Sequence, residues 1–295
     1  MRKISFIIPP EYDGKTVYTY LKGRARLSLA LIRSLKRTSD GIELNGEHTR
    51  TVDIIHTGDV LTVNIPDDGV CAAASDNPKR ECDTGPEILY EDEDILIVNK
   101  PAMLPIHESH NHQGDTLQNV VGAYLVKKGK PASFRAVGRL DKGTSGVVVC
   151  ALNRYCAARL SGNIEKEYLA IAAGEYYESG TIDTPIYRPD PMKTFRTADE
   201  RGDRAVTHYT PLKTGNNMTL LKIRLETGRT HQIRVHFSSL GTALVGDTMY
   251  GTESEKISHQ CLHCAKVKFI HPVSGEEIIC EAPLPDDMKE IADSI

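Results

Sequence analysis

The chain has 295 residues, 40% hydrophobic and 26% charged, with a net charge of −4, 23 glycines and 15 prolines, a balance that excludes fibrous and disordered classes and leaves room for one large domain or two. No apolar run approaches the ~18 residues of a membrane helix, and the opening MRKISFIIPPEYDGK turns polar too soon for a signal peptide, so a cytoplasmic protein with no membrane partner is expected. Seven cysteines, an odd number at irregular spacing, speak against a secreted disulfide framework and fit reduced thiols.

The net charge hides a segregation along the chain. Lys15, Lys22, Arg24, Arg26, Arg33, Lys36 and Arg37 follow one another with no intervening acid, whereas Asp67 to Asp94 carries ten acids against Lys79 and Arg80. In the basic stretch Val17 and Leu21 stand one helical turn apart, and Ser28 is placed to cap a second helix bearing Leu31, Ile32 and Leu35. Asn45-Gly46 between extended residues predicts a hairpin, and LTVNI alternates Leu61, Val63 and Ile65 with Thr62 and Asn64 as a half-buried strand would. Helices this short are held by packing on the strands, which leaves their basic faces free; such a face is either merely solvated or meant for an anionic partner, and seven cations without an acid favour the partner. The order of elements, with Ser28, Ile32, Gly41, Asn45-Gly46 and Gly58-Asp59, resembles the small RNA-binding module named after a small-subunit ribosomal protein. The resemblance implies RNA contact through Lys22, Arg24, Arg26, Arg33, Lys36 and Arg37, and no chemistry.

DDGVCAAASDNPKRECDTGP lacks periodicity and is rich in small and turn residues, so residues 68–85 are expected to link a small domain (1–67) to a large one (86–295). The large domain opens with EILYEDEDILIVNKP, two apolar runs around an acidic turn, and continues with DTLQNVVGAYL, where Asp115 is placed to cap a helix carrying Leu117, Val120, Val121, Tyr124 and Leu125. AVGRLDKGTSGVVVCAL then joins a glycine-broken polar loop to an uninterrupted apolar strand. Arg139, Asp141, Lys142, Thr144 and Ser145 therefore crowd the mouth of a buried strand. A carboxylate beside two cations is held ready as nucleophile or base, or else belongs to a capped loop with a structural ion pair.

EKEYLAIAAG reads as a strand bearing Tyr168, and MTLLKIRLETGRTHQIRVHFSSLG as a strand, a turn and a helix capped by Thr230, with Ile233, Phe237 and Leu240 inward and Gly241 at its end. Arg229 and Arg234 flank the helix start and by themselves are compatible with surface charge. VKFIHPVSGEEIICEAP reads as two strands about a turn, completing an α+β fold with a mainly antiparallel mixed sheet.

GRLDKGTSGVVVCAL, KEYLAIAAG and GRTHQIRVH, in that order, resemble the three motifs of the RluA-type pseudouridine synthases, and NKPAMLPIH, GDTMYG and FIHPVSGEEI resemble further segments, so the likeness covers nearly all of 86–295. It implies isomerisation of a uridine in structured RNA, ribosomal or transfer, to pseudouridine by a cofactor-free, metal-free monomer. Carried onto matching positions, it makes Asp141 the essential carboxylate, acting on the anomeric carbon or the base or assisting departure. Arg139 would fill the stack vacated by the flipped base, Tyr168 stack on the uracil with its hydroxyl near carbon 5, and Arg234 pair with Asp141 over an apolar floor at Ile233. Leu140, Thr144, Ser145 and Arg229 complete the expected substrate site, the two hydroxyls fixing the loop. The chain departs from the family pattern at Gly138, usually His, and at Thr242-Ala243, usually His-Pro. A zinc site from Cys261, His263, Cys264 and the HESHNH loop (His107, His110, His112) is disfavoured because Cys261 and His263 alternate as on a strand, and no dinucleotide or Walker loop is present. The rival from another class is a noncatalytic RNA-binding or ribosome-assembly factor on the same scaffold.

Overall fold

The computed structural model describes residues 1–66, 85–110, 112–131 and 133–295. Residues 68–84 of the expected linker and most of the acidic stretch lie outside the described residues, as do Cys71 and Cys82. The five described cysteines, Cys150, Cys156, Cys261, Cys264 and Cys280, are free and buried.

Residues 1–66 form a small α+β unit: β1 (Arg2–Ile7), α1 (Val17–Gly23), α2 (Leu29–Leu35), β2 (Ile42–Leu44), β3 (Glu47–His48) and β4 (Val60–Ile65), with sheet order β1-β4-β2-β3. Ser28 caps α2 as its sequence predicts, accepting from the Leu31 N–H at 3.1 Å. Asn45 and Gly46 both take positive φ (53° and 89°), the pair of values that a two-residue hairpin turn requires. β4 corrects the half-buried expectation: it lies inside the sheet, and Thr62 and Asn64 are buried along with Leu61, Val63 and Ile65. Their polar atoms are satisfied, Thr62 with Ser5 Oγ at 2.9 Å and Asn64 with Glu43 Oε1 at 2.9 Å. The seven cations of the helical stretch are all exposed, and the one carboxylate near any of them among the described residues is Glu11, 3.9 Å from Arg24.

The large unit follows as β5 (Glu87–Glu91), β6 (Ile95–Lys100), α3 (Leu117–Lys127), β7 (Arg135–Val137), β8 (Ser145–Ala151), α4 (Arg154–Leu160), β9 (Glu165–Ala172), β10 (Gly180–Asp183), β11 (Ile186–Tyr187), β12 (Thr197–Ala198), β13 (Val206–Gly215), β14 (Met218–Leu225), α5 (Gln232–Ser239), β15 (Leu262–Ile270), β16 (Glu277–Glu281) and α6 (Asp286–Ser294). One ten-stranded sheet runs β10-β13-β14-β9-β15-β8-β6-β5, with β16 on β15 and β7 on β8; β15 with β8 is its parallel pair and the other pairings are antiparallel. All seven residues of β8 are buried, as a continuous apolar run demands. At Gly146 (φ 107°) a Cβ would stand 2.2 Å from the Cys264 carbonyl, so only glycine lets β15 approach there. Arg2 of the small sheet pairs with Asp94 at 2.8 and 2.9 Å, and Phe6 meets Tyr155 edge-on, so the two units touch directly.

Two helix starts depart from expectation. α3 is capped by Thr116, which forms a full capping box with Asn119, while Asp115 pairs with His112 at 2.8 Å. α5 begins after His231, a left-handed residue (φ 58°), and Thr230 does not cap it; Gln232 does the stapling, its Oε1 accepting from Arg229 N and Thr227 Oγ1 and its Nε2 donating to Val206 O and Thr207 Oγ1. Gly241 does end α5, in a Schellman motif closed by Thr242 N to Phe237 O and Gly241 N to Ser238 O. Leu240, expected inward, is half exposed (50%).

Candidate active site

The loop between β7 and β8 carries Asp141, and α5 delivers Arg234 to it: Nη1 donates to Asp141 Oδ2 at 3.0 Å. Asp141 Oδ1 has no hydrogen-bond partner among the described residues. The sequence neighbours Arg139 and Lys142 are not its partners, which corrects the reading of a carboxylate held by adjacent cations; Arg139 is exposed on the cleft, and Lys142 Nζ lies 3.3 Å from His112 Nε2. Arg234 is no surface charge either, since its side chain is 7% exposed. Its Nε and Nη2 make a two-pronged contact with Asp247 at 2.7 and 2.9 Å, and its guanidinium lies over the Tyr250 ring. Burial alone would lower the guanidinium pKa, but the hydrogen bonds and charges of Asp247 and Asp141 outweigh it and hold the pKa above its ordinary value. One arginine thus bridges two carboxylates with its charge locked on.

Tyr168 lies on β9, opposite Cys264 of β15 and Ile223 of β14, and is 6% exposed. Burial, then the nearby Cys264 and Asp141, push its phenol pKa far above 10, so the ring faces the cleft as a neutral phenol. His231 Nε2 is 3.8 Å from Asp141 Oδ2, and its Nδ1 shares a hydrogen bond with the Tyr250 hydroxyl at 2.8 Å; burial pulls its pKa below the ordinary value. Under the loop between β7 and β8 Lys100 is wholly buried, its Nζ donating to the carbonyls of Pro101, Leu104 and Lys142, and burial brings its pKa down to about 7 against the pull of Asp141.

Asp141 and Tyr168 open on a cleft of about 500 Å³, lined also by Arg139, Lys166, Leu225 and Arg229 among others, within the size range of small-molecule sites. A smaller pocket of about 60 Å³ shares Arg139, Asp141 and Tyr168 with it and is lined also by Leu140, Thr144, Ile233 and Arg234. The structure therefore gathers Asp141, Tyr168, Arg234, Arg139, Leu140, Thr144, Arg229 and Ile233 in one place. Ser145 lines neither cavity: its buried hydroxyl is shared with His263 Nδ1 at 2.9 Å, and it braces the loop. Thr144 is braced too, by Gln260 Nε2 at 3.1 Å. His263 closes its other nitrogen on the Ala282 carbonyl, so both ring atoms of the considered zinc ligand are engaged. Gly138 adopts φ 77°, and a Cβ there would stand 2.9 Å from Lys166 Nζ; glycine suits that backbone better than the usual histidine. Sequence reasoning missed Asp247, His231 and Lys100. The signal available was that each lies in a segment with family resemblance: Lys100 in NKPAMLPIH, His231 in GRTHQIRVH and Asp247 in GDTMYG.

A cleft that offers a carboxylate, a phenol ring and an apolar floor, rimmed by arginines, suits a polyanionic substrate that presents a flat base. Residues 94–239 match the family described as RNA pseudouridylate synthase. The chain is 34% identical over 275 residues, 91% of its own length and 95% of the relative's, to "Uncharacterized RNA pseudouridine synthase YjbO" of Bacillus subtilis (strain 168). It is 39% identical over 255 residues, 78% of this chain and 77% of the relative, to the ribosomal large subunit pseudouridine synthase D of Zymomonas mobilis subsp. mobilis (strain ATCC 31821 / ZM4 / CP4). The solved structure of human RNA pseudouridylate synthase domain containing 1 shares the fold, with TM-score 0.56 and 24% identity over 71% of this chain and 94% of that one. The chain belongs to the RNA pseudouridine synthase family, and it is an enzyme that isomerises uridine in RNA to pseudouridine.

Proposed function

We propose that the chain isomerises uridine in ribosomal RNA, with Asp141 as the essential carboxylate. The target reading is supported by the relative named for the large ribosomal subunit. The single observation that carries the role of Asp141 is its geometry: Arg234 holds Oδ2, while Oδ1, without a partner, is left to the substrate at the cleft floor. The reaction breaks the N1–C1′ bond and forms C5–C1′, with a proton leaving carbon 5 and one arriving at N1, so no redox partner is consumed. A base inside a helix must leave the stack first, at a cost of a few kcal/mol. Arg139, exposed at the rim and lining both cavities, is placed to fill the vacated stack, and Leu140 and Ile233 supply apolar surface beneath the base. Asp141 acts on the anomeric carbon or on the base, or assists departure. Tyr168 stacks on the uracil, and as a neutral phenol it serves the carbon 5 proton as a relay rather than as a free phenolate base.

The small unit, with Lys22, Arg24, Arg26, Arg33, Lys36 and Arg37 exposed and almost without acid partners, contacts RNA phosphates without reading sequence. No helix among the described residues is long and apolar enough to cross a membrane, and a cytoplasmic monomer belongs to the same proposal. The test is a map of pseudouridines in ribosomal and transfer RNA from cells lacking the gene, complemented by wild type or Asp141→Asn. Only wild type should restore a missing site, and that site should lie in ribosomal RNA. A site in transfer RNA would overturn the target, and restoration by Asp141→Asn would overturn the role of the carboxylate.

A further inference from the structure

Beside the active-site cleft lies a second cavity, of about 450 Å³, lined by four arginines, Arg188, Arg196, Arg201 and Arg229, with Asp203 as its acidic residue. Gly228, Arg229 and Thr230 line both spaces, so this turn is their common wall. The four arginines are not equivalent. Arg201 is neutralised by Asp199, at 2.6 and 2.9 Å, and stacks on Tyr187. Arg229 donates to the Arg204 carbonyl at 3.0 Å and stands 3.9 Å from the exposed Asp203.

Arg188 and Arg196 are held differently. Arg188 Nε donates to the Lys193 carbonyl at 3.0 Å; Arg196 Nη1 donates to the carbonyls of Lys193, Thr194 and Phe195 at 3.3, 2.7 and 2.9 Å. Carbonyl oxygens orient a guanidinium without cancelling its charge, and neither side chain meets a carboxylate among the described residues. Sharing the Lys193 oxygen also brings the two forks side by side. Pre-oriented, uncompensated guanidinium pairs are suited to a phosphate, which takes two parallel N–H donors. The backbone N–H of Arg196 donates to the Tyr250 hydroxyl, whose ring lies under Arg234, so the segment bearing these arginines is anchored to the catalytic network.

We infer that this cavity is a subsite for a backbone phosphate of the RNA, on a nucleotide adjoining the one isomerised. The inference rests on the uridine reading, because the cavity shares its wall with the uridine cleft: a nucleotide whose base enters the cleft leads its backbone over the Gly228–Thr230 turn. Arg188 and Arg196 fix where the strand runs, and so which base is presented to Asp141.

The test uses the full chain and a stem-loop with one target uridine, in which single phosphates near the target are replaced by uncharged methylphosphonates. Arg188→Gln should weaken affinity about tenfold and flatten the slope of log affinity against log salt by about 0.7–0.9, the share of one phosphate. Saturating RNA should recover most of the single-turnover rate. One methylphosphonate should cost wild type a similar factor and cost Arg188→Gln clearly less, since only the contact from Arg196 is left to lose. Arg188→Lys, which keeps the charge without the fork, should fall between, and thermal melting establishes that each variant is folded. An unchanged affinity and salt slope, or a methylphosphonate penalty equal in wild type and variant, would overturn the subsite while wild-type product formation left the uridine reading standing. Absence of product from wild type would overturn that reading instead.

Discussion

The active-site cleft and the paired basic helices both present cations, and they hold them in opposite ways. Arg234 is buried, bound by Asp141 and Asp247 at fixed distances, and its charge is already spent on protein carboxylates. The cations from Lys15 to Arg37 are exposed, with one long contact, to Glu11, among the described residues. A buried, bridged charge sets the position of one oxygen and changes rate; a solvated row of charges neutralises phosphates and changes affinity. The arginine pair of the second cavity is intermediate, oriented by carbonyls yet not neutralised.

Breaking the buried side of this comparison gives the largest effect. Asp247→Asn should leave Arg234 with a weakened anchor and slow the single-turnover rate about 10²–10³-fold, in the range of losing one preorganised electrostatic contact, with RNA affinity within a few-fold of wild type. Full rate would show that Asp141 alone positions Arg234. Lys100 tests the support beneath. Its pKa is about 7 in the native chain against 10.5 ordinarily, so between those pH values the unfolded chain keeps a proton that the native chain has released. Stability contributed by this group is therefore flat below pH 7 and rises above it. The unfolding free energy of wild type minus that of Lys100→Met should grow by up to about 4 kcal/mol from pH 7 to pH 10. A pH-independent difference would mean that the ammonium stays charged on its three carbonyls.

Tyr168 sharpens the comparison inside the cleft. Tyr168→Phe should bind as wild type does, because base stacking worth roughly 1–3 kcal/mol survives, yet turn over about 10-fold or more slowly if the hydroxyl relays the carbon 5 proton. Equal rates would confine the ring to stacking. The smallest effect belongs to the solvated side: replacing Arg33, Lys36 and Arg37 with Gln should raise the Kd about tenfold and flatten its salt dependence, with the rate at saturating RNA preserved. An unchanged salt slope would show that these cations face only solvent.

Much of the architecture was legible because local rules and global fold agree there. Ser28 caps α2, Asn45-Gly46 turns the β2–β3 hairpin, and VVVCAL is the buried strand that its composition announces. Asp141, Tyr168 and Arg234 were reached through motif resemblance, and the cleft brings them together. What stayed hidden depends on distant partners. β1 and β13 are strands by virtue of what they pair with, and Thr62 and Asn64 are buried because β1 covers an edge that the sequence of β4 leaves open. Asp115 and Thr116 are both competent caps, and the side chain of Asn119 decides between them. Asp247 is one carboxylate among many until α5 folds Arg234 onto it, and Lys100 is an ordinary lysine until three carbonyls close around it.

On the proposed function, the bridged carboxylate carries the chemistry and the solvated charge carries the affinity. The most direct measurement sets Asp141→Asn beside the Arg33/Lys36/Arg37→Gln variant on one uridine stem-loop, reading Kd and single-turnover pseudouridine formation for each. Asp141→Asn should bind within about threefold of wild type and form no pseudouridine, while the charge-stripped variant should bind more weakly and reach the wild-type rate at saturation. Pseudouridine formed by Asp141→Asn at close to the wild-type rate would contradict the account.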